Sequence, residues 1–147
     1  MSIQQSIQFP FEPQELAEIR ELWKKHSIAE DKRDIPGLLS TLTDDSVYEI
    51  LETPHRWEGL AGAQRFYESL IGAIPDVHFD LQHIVIGPQG VFEEAIVTGV
   101  FKNDTLGFKA HGKAVRGVVG ILFPWDAKKK LFKGERIYIN LPAFLGG

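Results

Sequence analysis

The stretch VHFDLQHIVIGPQGVFEEAIVTGVFK, residues 77–102, decides the fold. It holds two β-prone runs, Val77 to Gly87 and Val91 to Lys102, separated by the tight connection Gly87-Pro88-Gln89-Gly90. Two such runs around a short Gly/Pro turn read as an antiparallel hairpin. Downstream the same texture continues in Val115 to Phe123 and Leu131 to Leu141, each bounded by Gly, Pro, Asn or Asp. Trp125-Asp126 and the run Lys128 to Lys130 supply the turn between these last two strands. The longer connection Asn103 to Lys113, with Gly107, His111 and Gly112, belongs at the rim of any cavity that the sheet encloses.

Upstream of residue 77 the period is helical. From Pro13, tolerated in a first turn, Leu16, Ile19, Leu22, Trp23 and Ile28 recur at three- and four-residue spacing, predicting an amphipathic helix that ends near Asp31. A short helix over Ile35 to Leu42 follows, with Asp34 as its N-cap and Pro36 in its first turn. Ser46 to Thr53, SVYEILET, then alternates as a first strand. A third helix, Leu60 to Ile74, carries the apolar stripe Ala63, Phe66, Tyr67, Leu70, Ile71 and Ile74 and is stopped by Pro75. Helices gathered ahead of an antiparallel run predict an α+β fold in which three helices of the N-terminal half cover the concave face of a strongly bent sheet. Gly99, Gly117 and Gly120 suit the bends such curvature needs.

A chain of 147 residues fits one domain spanning 1–147, with residues 1–12 a partly ordered arm. With no cysteine there are no disulfides and no thiolate ligands, so stability rests on packing, and a reducing cytoplasm is the expected setting. The net charge of −4 argues against a nucleic-acid partner, and the basic cluster Lys128 to Lys130 with Lys133 is too short for a polyanion footprint. No run approaches the ~18 apolar residues of a membrane span, and the N-terminus lacks the pattern of a signal peptide.

The five histidines, His26, His55, His78, His83 and His111, show no spacing typical of a metal site, so no metal is expected. Trp23, His26, Tyr48, Trp57, Phe66 and Phe123 are the candidate lining of a pocket for a small hydrophobic ligand, although any one aromatic also serves as plain core. On the last strand, Arg136, Tyr138 and Asn140 share one face and Glu135, Ile137 and Ile139 the other. Pointing inward, the first set would polarise a carbonyl or enolate. In the plainer arrangement Arg136 is at the surface and Tyr138 is core. Glu49 and Glu52 compete for the role of base because only one can point inward, and Glu52 enters with Tyr48 if the helices cover that face. Otherwise Glu52 is solvated at the strand end.

Element order and local phrases together resemble the SnoaL-like polyketide cyclase branch of the nuclear transport factor 2-like superfamily. The phrases are WEGLAGAQRFYESL at 57–70, Pro75-Asp76 opening a strand, GFKAHGKAVRG at 107–117 and GERIYINLPAFLGG at 134–147. The resemblance implies a cone-shaped sheet around a hydrophobic pocket, cofactor-independent lyase, isomerase or hydrolase chemistry with a buried carboxylate or histidine as base, and a homodimer. It implies His111 as a polar group of the rim loop. It also sets Asn140 where the branch carries its final aspartate, and an amide cannot take up a proton at neutral pH. Two functions therefore stay open: acid–base catalysis with Glu52 or His111 as base beside Tyr138, Asn140 and Arg136, or a non-catalytic ligand-binding or dimerisation module that has lost its carboxylate.

Overall fold

The computed structural model describes residues 2–10 and 12–146. The elements follow the order α1 (Ile3–Ile7), α2 (Pro13–Asp31), α3 (Ile35–Leu39), β1 (Leu42–Ile50), β2 (Arg56–Glu58), α4 (Gly59–Ala73), β3 (His78–Gly87), β4 (Gly90–Val100), β5 (Ala114–Asp126), β6 (Leu131–Tyr138) and α5 (Leu141–Leu145). The strands form a curved, unclosed six-stranded sheet in the order β2-β1-β6-β5-β4-β3. The fold is the expected α+β arrangement, but the sheet is not wholly antiparallel: β1 runs parallel to β6, while every other pair is antiparallel. The intervening chain contains α4 and the β3–β5 meander, which gives β1 the long crossover that a parallel neighbour requires.

The expected arm is largely exposed and carries α1, a single turn capped by Ser2; Met1 and Phe11 lie outside the described residues. Helix α2 buries Ile19, His26 and Ala29, and α4 buries Gly62, Ala63, Tyr67 and Ala73. These faces meet the inward rows of the sheet, among them Tyr48, Val97, Val119, Ile121 and Phe123. The Trp125 indole donates to Glu15 at 2.7 Å, tying the start of α2 to the far end of β5. The lysine run makes the expected turn, where Asp126 accepts from the backbone of Lys128 and Lys129, but Trp125 and Asp126, expected in that turn, extend β5 and pair with Phe132 and Leu131.

Other boundaries also differ from the sequence expectation. Strand β1 begins at Leu42, which pairs with Phe132, so the short helix stops at Leu39. The three-residue strand β2, in the link expected to be a loop, is held by antiparallel pairing of Trp57 with Tyr48. The last strand ends at Tyr138, because the Asn140 side chain accepts from the Ala143 backbone and Pro142 opens a new turn, α5.

One residue decides which way β6 faces. Its pairing with β5 slips by a residue between Trp125↔Phe132 and Leu122↔Arg136, so β6 carries one extra residue and bulges. Gly134 sits in that bulge at φ +114°. A Cβ there would lie 1.9 Å from the Val47 carbonyl oxygen. Because of the extra residue, Phe132 and Glu135 are both buried although three positions apart. Gly134→Ala is therefore expected to destabilise the fold by about 2–4 kcal/mol, read from denaturant unfolding with an unchanged m-value.

Candidate active site

Between the helices and the sheet lies a cavity of about 80 Å³, several times the ~10–15 Å³ that admits one water. Its wall is built from every layer: Trp57, Phe66, Leu70 and Ala73 above, Phe79, Val97, Val119, Ile121 and Ile137 from the sheet, and Leu141, Phe144 and Leu145 of α5 closing one side. Thr105 and Leu106 come from the β4–β5 connection. Against this apolar wall stand two ionisable residues, Glu30 from the last turn of α2 and Glu135 from β6.

Glu135 is 3 % exposed. A dry carboxylate requires donors, and two elements supply them. The Tyr67 hydroxyl of α4 donates to Glu135 Oε2 at 2.8 Å, and Tyr48 and Tyr67 join their hydroxyls at 2.5 Å. Since the Tyr67 proton is committed to Glu135, Tyr48 is the donor of that pair. On the other side, His26 Nε2 approaches the same oxygen at 3.2 Å. The Thr41 hydroxyl donates to the Leu38 carbonyl at 2.7 Å, so its oxygen accepts from His26 Nδ1 at 2.9 Å. With Nδ1 bonded to Thr41, Nε2 is the ring nitrogen that faces the carboxylate oxygen.

Two further carboxyls lie within electrostatic reach. Burial, and after it the charge of Glu135, pushes the Glu93 carboxyl up to about 8. Glu30 is held well above the ordinary carboxylate range, by burial first and then by Glu135, Glu93 and Asp31, while Arg33 acts in the opposite direction. The Tyr48 and Tyr67 phenols are likewise raised, by burial and then by Glu135. Among the described residues no group of three or more His, Asp or Glu side chains is arranged to hold a metal ion.

Of the two orientations left open for the last strand, the bulge at Gly134 goes with the one that turns Glu135 inward and leaves Arg136 at the surface. Arg136 donates to Glu49 on the outer face, 2.5 Å away. Tyr138 is exposed, and Asn140 caps α5. Glu52 is an exposed turn residue at φ +62°, beyond the end of β1. His111 lies off the cavity wall, edge-on to Phe101, and its Nδ1 accepts from the Lys113 backbone at 3.1 Å. Trp57 and Phe66 do line the cavity. Tyr48 and His26 sit one layer behind Glu135 in the hydrogen-bonded chain, with Phe123 edge-on to the imidazole at 5.2 Å. Trp23 is half-buried and packs against the core.

The sequence reading passed over Glu30, Glu93 and the pairing of Tyr67 with Glu135. A signal existed for Glu135: Ile137, Ile139 and Leu141 continue its alternation as an apolar stripe, which belongs inside.

The SnoaL-like domain family matches residues 23–123. The chain belongs to that family. This SnoaL-like domain superposes on a protein assigned as a SnoaL-like polyketide cyclase from Jannaschia sp. CCS1 with a TM-score of 0.73 and 19 % identity, over 94 % of this chain and 96 % of that one. A protein assigned as a polyketide cyclase from Pseudomonas putida KT2440 gives 0.71 at 22 % identity, covering 87 % and 96 %. An epoxide hydrolase of the LEH-like type from M. tuberculosis gives 0.66 at 16 %, covering 88 % of each chain. At these identities the likeness carries the fold. No curated protein matches the chain.

The raised carboxyl of Glu93 makes stability depend on pH in a definite direction. Folded, it keeps its proton up to about 8, whereas the unfolded side chain releases it near 4.5. The native state thus binds the extra proton between those values, and stability falls as pH rises through that window. Glu93→Gln is expected to flatten the fall between about pH 5 and about pH 9, by an amount bounded by roughly 5 kcal/mol. Urea unfolding of both proteins across that range checks it.

Proposed function

We propose that this SnoaL-like protein is a cofactor-independent acid–base enzyme, a lyase, isomerase or hydrolase acting on a small hydrophobic substrate, with Glu135 as the general base. The observation that carries the reading is a carboxylate reaching an apolar cavity while its own oxygen is held by Tyr67 and paired with His26. Such a group is fixed in orientation and kept from bulk water, the conditions under which a carboxylate removes a proton from a weakly acidic C–H bond. Tyr48 and Tyr67 then offer a phenolic path along which charge on Glu135 is spread or relieved. Asn140, as a helix cap, leaves this base in place, which weighs against the non-catalytic alternative.

Deuterium exchange at the α-carbon of small cyclic ketones, followed by NMR in D2O, tests the base without knowledge of the physiological substrate. The wild-type protein is expected to accelerate exchange, and Glu135→Gln to lose about 10²–10⁴-fold of that acceleration. Saturable ketone binding with no exchange by the wild type would establish a ligand-binding protein instead.

Self-association is the second part of the proposal. The outer sheet face exposes Val85, Phe92, Val118 and Tyr138, with the Phe92 ring lying over Gly120. These exposed apolar residues, with Glu94 among them, suit an isologous contact with a second copy. Sedimentation is expected to give a dimer that Val118→Arg converts to a monomer. A monomeric wild type would remove this part of the reading.

A further inference from the structure

We infer that Leu106, at the tip of the β4–β5 connection, sets the size limit of the substrate. The inference rests on the reading of the hollow as a substrate site and names the residue that selects among substrates. Thr105 and Phe108 exchange both backbone hydrogen bonds, at 3.1 and 2.8 Å, so Leu106 and Gly107 are the two central residues of a tight hairpin turn. Both have positive φ, +53° and +83°. Such a turn favours Asn, Asp or Gly at its first central position, because a larger L side chain crowds its own backbone there. Leucine is therefore a poor choice for the turn itself. Its side chain is half-buried, lining the hollow and packing against the core. A Cβ on Gly107, by contrast, would meet nothing within 4 Å. The apolar group thus stands at the turn residue that reaches the cavity, against the preference of the local backbone, and its contact with the hollow is what that placement provides.

The connection is tied to α4 at its tip and at its base. Ser69 of α4 and Thr105 join their hydroxyls at 2.9 Å. The Lys102 and Asn103 backbone amides donate to the Ala73 carbonyl, and the Asn103 side chain donates to that of Gly72 at 2.7 Å. Apart from Ile74 and Ile139, which directly follow α4 and β6, Thr105 and Leu106 are the lining residues that lie outside helices and strands. At about 80 Å³ the hollow is well below the roughly 300–1,000 Å³ of sites for drug-sized ligands. In so small a space one leucine side chain is a large fraction of what a substrate can use. The substrate class that follows is a compact, single-ring apolar molecule with an acidic C–H bond, and Leu106 excludes fused ring systems.

Cyclohexanone and the fused bicyclic 2-decalone provide the test, each followed by α-deuterium exchange in D2O and by NMR titration for Kd. The wild type is expected to favour cyclohexanone in both measurements. Leu106→Ala and Leu106→Gly are expected to raise the ratio of 2-decalone to cyclohexanone, in kcat/KM and in association constant, by at least ~10-fold, the scale on which a hydrophobic wall discriminates small apolar groups. Glycine suits the left-handed backbone, so Leu106→Gly opens the wall without straining the turn. Leu106→Met, of similar volume, is expected to keep the ratio within about 3-fold of wild type, and Leu106→Phe to lower it. Circular dichroism checks that each variant is folded. A leucine that only anchored the connection would cost stability and affect both ketones alike. Ratios that stay within about 3-fold across the series, while the wild type exchanges ketone and Glu135→Gln does not, overturn the role of Leu106 and leave the base standing. Association ratios that follow side-chain size, with no exchange by any protein, overturn the base and sustain the size limit. If neither ketone binds any of these proteins, both readings fall.

Discussion

A carboxylate buried among apolar side chains must be given hydrogen-bond donors or it forces the fold apart. Meeting that requirement at Glu135 organises much of the molecule. Tyr67 comes from α4, His26 from α2, Tyr48 from β1, and Thr41 and Leu38 from the junction between α3 and β1. Each lies far from Glu135 in sequence, so a single buried oxygen ties the helical layer to the centre of the sheet. The chain of donors also fixes geometry: the Leu38 carbonyl sets the Thr41 hydroxyl, that sets the His26 tautomer, and the imidazole then faces the carboxylate. Such a network is worth more complete than as the sum of its bonds, and a gap in it is costly.

The outline of this arrangement was legible in the sequence, because hydrophobic period and turn chemistry are local properties. The hairpin at 77–102, the helix from Pro13 to Asp31 and the stripe of α4 were all readable within a residue or two of their ends. What failed was non-local. The parallel pairing of β1 with β6 depends on residues more than eighty positions apart, and β2 exists only because β1 offers it an edge. The orientation of the last strand stayed open for a related reason. Alternation places residues 132 and 134 together, and only an extra residue accommodated at Gly134 turns Glu135 inward. Gly134 was visible as a glycine, but nothing local distinguished a bulge from a flexible strand end. The roles expected of Arg136, Tyr138 and Asn140 rested on that one choice of face.

The cluster of Glu30, Glu93 and Glu135 also bears on why the interior is built at the expense of stability. Three acidic side chains close enough to perturb one another, with one imidazole among them, are a poor choice for a core whose only task is to pack. Apolar residues of similar size would fill the same space without repulsion, and the surrounding rows of Val, Ile and Phe show that the chain uses such residues freely at neighbouring positions. Repulsion gathered around Glu135, while the rest of the core obeys simple packing rules, is a cost that packing alone does not explain. The two tyrosines extend the same logic, since their hydroxyls are buried, point toward the carboxylate and would be unnecessary to a purely structural core. The polar end of the hollow is thus the part of the molecule that packing alone does not account for, and Glu30 and Glu135, which alone among these acids reach the cavity wall, are where a bound molecule would meet it.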